Sequence, residues 1–172
     1  MNVSLSSAQR VAALLEAKGI HYASGGSGLL YSLGLVSHVR DWDLTTDVPL
    51  EAVTAALQDI PYAFVPSGDY PFASAYRLSV QDDALPLDII GGFAIHSEHG
   101  ICRLPSHSPF IWENIRMGSP EVWAVAYGLM NRTEKSQLLF AYLQEKGASR
   151  NIVERMLEEP LPEPLRCQLQ EL

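Results

Sequence analysis

One stretch of the sequence, residues 24–47, restricts the fold more than any other. It opens with Gly25-Gly26-Ser27 and continues through a spacer of thirteen residues to Asp41 and Asp43, which flank Trp42. Side chains two positions apart on a strand share a face, so both carboxylates are predicted to project into one volume. Like charges that close repel unless a cation lies between them, and divalent Mg²⁺ or Mn²⁺ prefers such hard oxygen ligands.

The glycine-rich turn predicts a change from strand to helix. A first strand is expected over Ile20–Ala23, and a helix over Gly28–Leu35 with its leucines on the buried side. Backbone N–H groups at a helix start can bind phosphate, and glycine suits such a turn because a Cβ would block the approach of the phosphates. Gly25, Gly26 and Ser27 are therefore candidate nucleotide-binding residues. The alternative is a plain strand-to-helix turn.

A third carboxylate, Asp88 in the apolar run LPLDIIGG, follows on a later predicted strand. The glycine turn, the Asp-x-Asp pair and this later Asp together resemble the nucleotidyltransferase superfamily, the fold of DNA polymerase beta and of the small bacterial nucleotidyltransferases. The resemblance covers residues 20–94, roughly the first half of the chain. It implies an α+β fold in which a small mixed sheet is flanked by helices and the site lies at one edge. The alternative for Asp88 is a solvent-facing position on an edge strand.

The resemblance also implies an activity, the metal-dependent transfer of a nucleoside monophosphate from a nucleoside triphosphate to a hydroxyl acceptor. Asp41 and Asp43 would ligate Mg²⁺ or Mn²⁺, and Asp88 would complete a second metal site or accept the proton of the acceptor. That acceptor is expected to be a small molecule or a protein. Arg40 would offset the charge of the carboxylates or contact a phosphate; the alternative is that it points to solvent from the opposite face. The alternative function is a catalytically silent module that binds a nucleotide or a partner.

The last third of the sequence predicts a helical bundle. Three helix starts are expected there, at Ser119-Pro120-Glu121, Thr133 and Ser149. This region is similar to the companion region of AbiEii-type proteins, in which basic residues precede a helix with the pattern Lys-Asp-x-x-Asp. Arg132 and Lys135 correspond to the basic residues and are candidate triphosphate contacts, whereas Ser136 and Gln137 stand where acids are expected. The alternative for Arg132 and Lys135 is a solvated helix end.

Length and composition fit one domain, or a small domain with a helical appendage. The chain has 172 residues, of which 47% are apolar and 19% charged. We expect a nucleotidyltransferase-like α/β domain over residues 1–112 and a helical region over residues 113–172 packed on it. The net charge of −8 disfavours binding to a long nucleic acid, which needs clustered Lys and Arg. No apolar run is long enough to predict a membrane span.

Cysteine and histidine usage gives two further expectations. The first fifteen residues lack the basic and apolar segments of a secretion signal, and Cys102 and Cys167 are isolated, so a reducing cytoplasm is the expected location. His96, His99 and His107 lack the ligand spacing of a structural zinc site. We therefore interpret these histidines as loop residues.

Two N-terminal helices are predicted from capping patterns. Ser6 and Gln9 have the spacing of a capping box, and Gly19 is placed to end that helix in a left-handed conformation. Asp47 is expected to cap a further helix that begins at Pro49.

The strand pattern predicts the rest of the sheet. Four strands are expected, over Arg40–Thr45, Tyr62–Val65, Ala75–Val80 and Leu85–Ile90. The last two should form a hairpin through a turn at residues 81–84, with Arg77 and Ser79 on the face opposite the apolar side chains. Residues 93–95 and 101–104 either extend the sheet or form a second small hairpin.

Overall fold

The structure is a computed structural model that describes residues 3–81 and 84–172. The predicted turn at residues 81–84 therefore lies partly outside the described residues. The chain forms two compact units: the first comprises Met1–Ser67, Ser74–Phe93 and Pro105–Ser119, and the second comprises Gly68–Ala73, Ala94–Leu104 and Pro120–Leu172. The predicted division into a domain over residues 1–112 and a helical region over residues 113–172 stays a prediction.

Helices and strands are mixed along the chain, which confirms the predicted α+β class. The helices of the described residues are α1 (Ser6–Ala17), α2 (Gly26–Ser32), α3 (Leu50–Ala56), α4 (Pro120–Leu129), α5 (Thr133–Lys146), α6 (Arg150–Leu157) and α7 (Glu163–Gln170). The strands are β1 (Ala23–Gly25), β2 (Trp42–Thr46), β3 (Tyr62–Val65), β4 (Tyr76–Val80), β5 (Leu87–Gly91), β6 (Ala94–Ser97), β7 (Gly100–Arg103), β8 (Phe110–Trp112) and β9 (Ile115–Met117).

The first unit is built on a seven-stranded mixed sheet in the order β3-β4-β5-β2-β1-β9-β8. Strands β2 and β5 are parallel, as are β1 and β9, whereas the other neighbours are antiparallel. The predicted hairpin of β4 and β5 is confirmed. Since β2 lies between β5 and β1, the sheet places the Asp-x-Asp segment beside the strand that carries Asp88 and the strand that ends in glycine.

Alternation gives the central strands one apolar face and one polar face. The apolar face forms the core with the fully buried side chains of Trp42, Leu44, Leu78, Leu87 and Ile89. Asp43 and Asp88 are directly opposite each other on the parallel strands β2 and β5, and Ser79 of β4 is opposite Asp88. Arg77, two residues before Ser79, shares its face. The ionisable side chains of Asp43, Asp88 and Arg77 therefore lie on the polar face of the sheet.

The start of the chain differs from the prediction in two details. The capping box is wrong: α1 begins at Ser6, its N-cap is Leu5, and no side chain caps it. Gly19 does adopt a positive φ of 67° after the helix, as predicted. The first strand is Ala23–Gly25 rather than Ile20–Ala23, and α2 begins at Gly26 instead of Gly28, so the strand leads directly into the helix.

The predicted cap at Asp47 is also wrong. Helix α3 has Pro49 as its N-cap and no capping side chain. The Asp47 carboxylate instead accepts a hydrogen bond from the Ser106 N–H (3.2 Å) and lies 3.4 Å from the Ser106 hydroxyl. Asp47 therefore fastens the loop before β8 to the end of β2.

The short hairpin of β8 and β9 was not predicted from the sequence. Each strand has three residues, and the turn between them places Glu113 and Asn114 at φ values of 49° and 62°. Asparagine is enriched at positive φ, whereas the presence of a glutamate does not predict this conformation. Strand β9 pairs with β1 and thereby extends the sheet on the glycine side.

In the second unit, β6 and β7 form a separate two-stranded sheet, which confirms the second-hairpin alternative. His96 lies in β6 and stacks on Tyr70 with ring centroids 5.2 Å apart, so the interpretation of His96 as a loop residue is wrong. His99 lies in the turn between these strands, and His107 lies in the loop before β8.

The helices of the second unit pack around α4, which is buried along nearly all of its length. The predicted starts at Thr133 and Ser149 fall at α5 and α6, but neither side chain caps its helix. Instead the buried Glu121 carboxylate accepts a hydrogen bond of 2.7 Å from the Ser149 N–H, which ties the start of α6 to α4. Within the described residues, no helix combines the length and the apolar character that crossing a membrane requires.

Candidate active site

The carboxylate of Asp43 lies at the junction of β1 and α2. Gly25 is its partner on β1, and the next residue, Gly26, turns the chain into α2 with a φ of +59°. A Cβ at Gly26 would overlap Oδ2 of Asp43. Glycine is therefore required at this position both by the backbone conformation and by the carboxylate that fills the space of a side chain.

Asp41 reaches the same junction through Ser27. It lies just before β2, which begins at Trp42 rather than at Arg40, and it is exposed. The Ser27 hydroxyl donates a hydrogen bond to the Asp41 carbonyl (3.1 Å) and lies 3.4 Å from Oδ1 of its carboxylate. The Arg40 N–H in turn donates to the Ser27 hydroxyl (3.3 Å). The first two residues of α2 thus contact both members of the acidic pair, Asp41 and Asp43.

Asp88 is the direct neighbour of Asp43 across the parallel strands. Neighbouring strands are about 4.8 Å apart, and like charges directly opposite each other destabilise a sheet. The charge of Asp88 is offset by a basic residue on β4, the other neighbour of β5. Arg77 on β4 donates from Nε to Oδ2 of Asp88 (2.9 Å) and from Nη2 to the same oxygen, and the Asp88 side chain is 17% exposed.

The sequence predicted no role for Arg77. Alternation along the strand did predict that Arg77 and Ser79 lie on the polar face of a hairpin whose second strand carries Asp88. Residues diagonal to each other across antiparallel strands are within reach of a long side chain. The cross-strand register of this hairpin was therefore the signal that could have paired Arg77 with Asp88.

The donor set can be tested against the divalent metal that the resemblance implies. Asp41 and Asp43 offer hard oxygen ligands at one junction, which fits Mg²⁺ or Mn²⁺. Among residues 3–81 and 84–172, no group of three or more His, Cys, Asp or Glu side chains is arranged to hold a metal. The Asp88 carboxylate is bound by Arg77, and its role as a metal ligand stays a prediction. The arrangement fits an ion held by the acidic pair, with the third carboxylate bound by Arg77.

The predicted basic contacts belong to both units. Arg40 is exposed and contributes its backbone N–H to Ser27. Lys135 belongs to α5 of the second unit, where its Nζ lies 5.4 Å from the centroid of the Tyr127 ring. Arg132 is the exposed N-cap residue of α5. A role of these side chains in nucleotide binding stays a prediction.

Hydrogen bonds hold the C-terminal end of β2 and the loop that follows it. Thr46 donates to the His21 carbonyl (2.7 Å), and the Tyr76 hydroxyl donates to the Val48 carbonyl (2.8 Å). Burial, reinforced by the charge of Asp47, raises the pKa of Tyr76 to about 12. Tyr76 therefore stays protonated near neutral pH and serves as a hydrogen-bond donor that anchors the loop after β2.

Solved structures of nucleotidyltransferases share this fold. A protein assigned as a nucleotidyltransferase from Thermotoga maritima is 19% identical to this chain, with a TM-score of 0.59 over 82% of this chain and 92% of its own. The crystal structure of ANT(2'')-Ia in complex with adenylyl-2''-tobramycin is 13% identical, with a TM-score of 0.53 over 97% of both chains. The solution structure of the antibiotic-resistance factor ANT(2'')-Ia is 14% identical, with a TM-score of 0.57 over 97% of this chain and 91% of its own.

These comparisons show the nucleotidyltransferase fold, as the sequence resemblance predicted. No protein-family model matches the sequence, and no curated protein matches it. At identities below 20% the likeness concerns the fold, and a function has to be argued from the side chains at the site.

Proposed function

We propose that this chain is a metal-dependent nucleotidyltransferase, which transfers a nucleoside monophosphate from a nucleoside triphosphate to a hydroxyl acceptor. The observation that carries the proposal is the junction of β1 and α2. There Gly26 leaves space for the Asp43 carboxylate, and Ser27 contacts Asp41, so two carboxylates lie at the start of α2. The first backbone N–H groups of a helix have no partner within the helix. Such a junction suits a phosphate chain together with its cation.

In this proposal the acidic pair binds the cation, and Gly25, Gly26 and Ser27 hold the β- and γ-phosphates. A bound Mg²⁺ or Mn²⁺ ion supplies positive charge to the phosphates and favours deprotonation of the attacking hydroxyl. The chain itself contributes alignment of the α-phosphate with the acceptor. Asp88 would complete the metal site or accept the acceptor's proton, and either role requires it to give up part of its contact with Arg77.

A small molecule with hydroxyl groups is the acceptor class we favour. ANT(2'')-Ia, which shares the fold, is in complex with adenylyl-2''-tobramycin, an adenylylated small molecule. A hydroxyl on a protein is the second choice. The net charge of −8 disfavours a long nucleic acid in solution of ordinary salt.

The finer resemblance to AbiEii-type proteins belongs to the same proposal. It rests on Arg132 and Lys135, which would supply positive charge to a triphosphate that carries about four negative charges. A cytoplasmic location also belongs here, because nucleoside triphosphates are found there and Cys102 and Cys167 are both free thiols.

A second candidate function is a catalytically silent module that binds a nucleotide or a partner. The ion pair between Arg77 and Asp88 favours it, because the guanidinium occupies the carboxylate oxygen that a metal ion or the hydroxyl of an acceptor would contact. This candidate predicts metal-dependent nucleotide binding without release of pyrophosphate.

Nucleotide binding is tested by the melting temperature of the protein with ATP, GTP, CTP and UTP, each with and without Mg²⁺ or Mn²⁺. A ligand at 100 times its Kd stabilises the folded state by about 2.7 kcal/mol. We expect a metal-dependent increase that Asp43→Asn abolishes. The matched control is Asp59→Asn, which removes the same charge from an exposed position in the same unit.

Turnover is tested next, with the nucleotide that binds and panels of hydroxylated small molecules and proteins. Release of pyrophosphate with labelling of an acceptor supports the enzyme, and binding without pyrophosphate release across the panels supports the silent module. If no nucleotide raises the melting temperature, or if Asp43→Asn responds as the wild type does, a nucleotide site at the acidic pair is refuted. The enzyme then fails, and only the module that binds a partner remains.

A further inference from the structure

The polar face of the sheet continues from β5 onto β4 and β3, and we call this part the β3–β4–β5 face. Register and alternation place the following side chains on it, each of them exposed or half-buried: Ala63, Val65, Arg77, Ser79, Asp88 and Ile90. The intervening Leu78 and Ile89 are fully buried on the opposite face. The β3–β4–β5 face is therefore accessible from solvent.

The strand order separates this face from the glycine turn. Strand β4 lies three positions from β1 in the order β1-β2-β5-β4, which is about 14 Å at the usual spacing of neighbouring strands. In the proposed function the phosphates lie at the junction of β1 and α2, and Asp88 on β5 is a candidate to accept the proton of the acceptor. An acceptor whose hydroxyl reaches Asp88 then extends over β4 and β3, because the nucleotide occupies the other side.

The charges of the β3–β4–β5 face favour an anionic ligand. Arg77 and Asp88 are the charged residues of these three strands, all of which the structure describes. Nε and Nη2 of Arg77 both donate to one oxygen, Oδ2 of Asp88. A guanidinium has five N–H donors, and the Arg77 side chain is 41% exposed, so its other donors can bind a second oxyanion. The planar arrangement of these donors matches a carboxylate or a phosphate.

We propose that the acceptor binds on the β3–β4–β5 face and is a hydroxylated small molecule with an anionic group that contacts Arg77. The inference rests on the proposed function and adds the charge of its acceptor. The anionic group competes with Asp88 for the guanidinium, so the Asp88 carboxylate is released when the acceptor is in place. The acceptor oxygen then bonds to the α-phosphorus, its proton passes to Asp88, and the bond between the α-phosphorus and the leaving pyrophosphate breaks. Val65 and Ile90 offer apolar contacts to the carbon skeleton.

Compounds that differ mainly in charge test the acceptor class. Glucose 6-phosphate, glucose and glucosamine form one set, and glycerate, glycerol and serinol form another. Each is titrated into protein free of metal and nucleotide, at a pH that protonates the amines, while NMR follows the backbone amide signals of Ser79 and Ile90. We expect the anionic member of at least one set to shift both signals. Its Kd should be about 10-fold or more below those of the neutral and cationic members, the effect of one hydrogen bond to a charged group.

Variants assign the preference for an anion to Arg77. Arg77→Gln combined with Asp88→Asn keeps a hydrogen-bonding pair without charge and should abolish the preference. Arg10→Gln is the matched control, because it removes an exposed positive charge from α1 of the same unit, and it should bind as the wild type does. The inference is overturned if no anionic compound shifts the wild-type signals, if a cationic compound binds as tightly, or if the preference survives in the folded double variant.

Two further outcomes are decided by the same protein. If the double variant does not fold, the wild-type titrations alone decide whether the face selects an anion. Failure of the proposed function shows separately, as a melting temperature that no nucleotide raises with Mg²⁺ or Mn²⁺, whatever the hydroxylated compounds do.

Discussion

Gly26 lies against the carboxylate of Asp43, with no space between the two residues for a Cβ. The contact arises because β1 pairs Gly25 with Asp43, and the positive φ of Gly26 then turns the chain into α2. The backbone conformation that starts the helix and the position of the carboxylate are thus set by one residue. Mutations can distinguish the requirement for a positive φ at residue 26 from the requirement for space beside the Asp43 carboxylate.

We expect Gly26→Ala to weaken Mn²⁺ binding by about 10-fold or more, because the new methyl group displaces the Asp43 carboxylate and misplaced metal-site contacts have effects of this size. The positive φ adds a loss of stability of about 1–2 kcal/mol. Mn²⁺ titration and urea denaturation measure the two effects on the same protein.

Gly34→Ala is the control for this prediction. Gly34 has a φ of +73°, but a Cβ there would meet nothing within 4 Å. It should therefore lose a similar amount of stability and keep the Mn²⁺ affinity of the wild type. Equal Mn²⁺ affinities in the two alanine variants would show that the contact between Gly26 and Asp43 does not position the carboxylate.

Ser27→Ala should weaken Mn²⁺ binding by about 10-fold, because the hydroxyl that holds Asp41 is lost. It also leaves the Arg40 N–H without its acceptor, at a cost of about 1 kcal/mol in the free energy of unfolding. Ser32→Ala makes the same chemical change in the same helix, where the hydroxyl donates to the Leu29 carbonyl. A decrease in Mn²⁺ affinity that is the same for both variants would contradict the role of Ser27.

The acidic pair and the helix beside it could be predicted from the sequence because they depend on local rules. Alternation along a strand put Asp43 and Trp42 on opposite faces, and the structure has Trp42 fully buried and Asp43 on the polar face. The hairpin of β4 and β5 followed from two alternating runs close in sequence. The roles of these aspartates in catalysis stay predictions.

Other features depend on contacts between distant segments and could not be predicted. The adjacency of Asp43 and Asp88 requires β2 and β5 to be parallel neighbours, which is a property of the strand order. The three-residue strands β8 and β9 are too short for a periodic signal, and Glu113 gives no sign of its positive φ. The capping box failed because helix α1 begins at Ser6 itself, so that residue cannot serve as the N-cap.

Gly28→Ala should destabilise the first unit by about 1–3 kcal/mol, because the Cβ would overlap the buried indole ring of Trp42 in a closely packed core. The cost should be smaller in a Trp42→Phe background, which removes the atoms that the methyl group meets. Urea denaturation of the two single variants, the double variant and the wild type gives the coupling free energy. A coupling of zero would mean that α2 does not pack on β2 through this pair.

In the second unit, Glu121 should matter through its hydrogen bond to Ser149 rather than through its charge. The carboxylate is 5% exposed and accepts the Ser149 N–H at 2.7 Å, so Glu121→Ala leaves that N–H without a partner and should cost about 1.5–3 kcal/mol. Glu121→Gln keeps a carbonyl oxygen as acceptor and should cost less. Glu134→Ala removes an exposed glutamate from the first turn of α5, and we expect little change. If urea denaturation gives similar losses for Glu121→Ala and Glu134→Ala, the start of α6 is held by its apolar contacts alone.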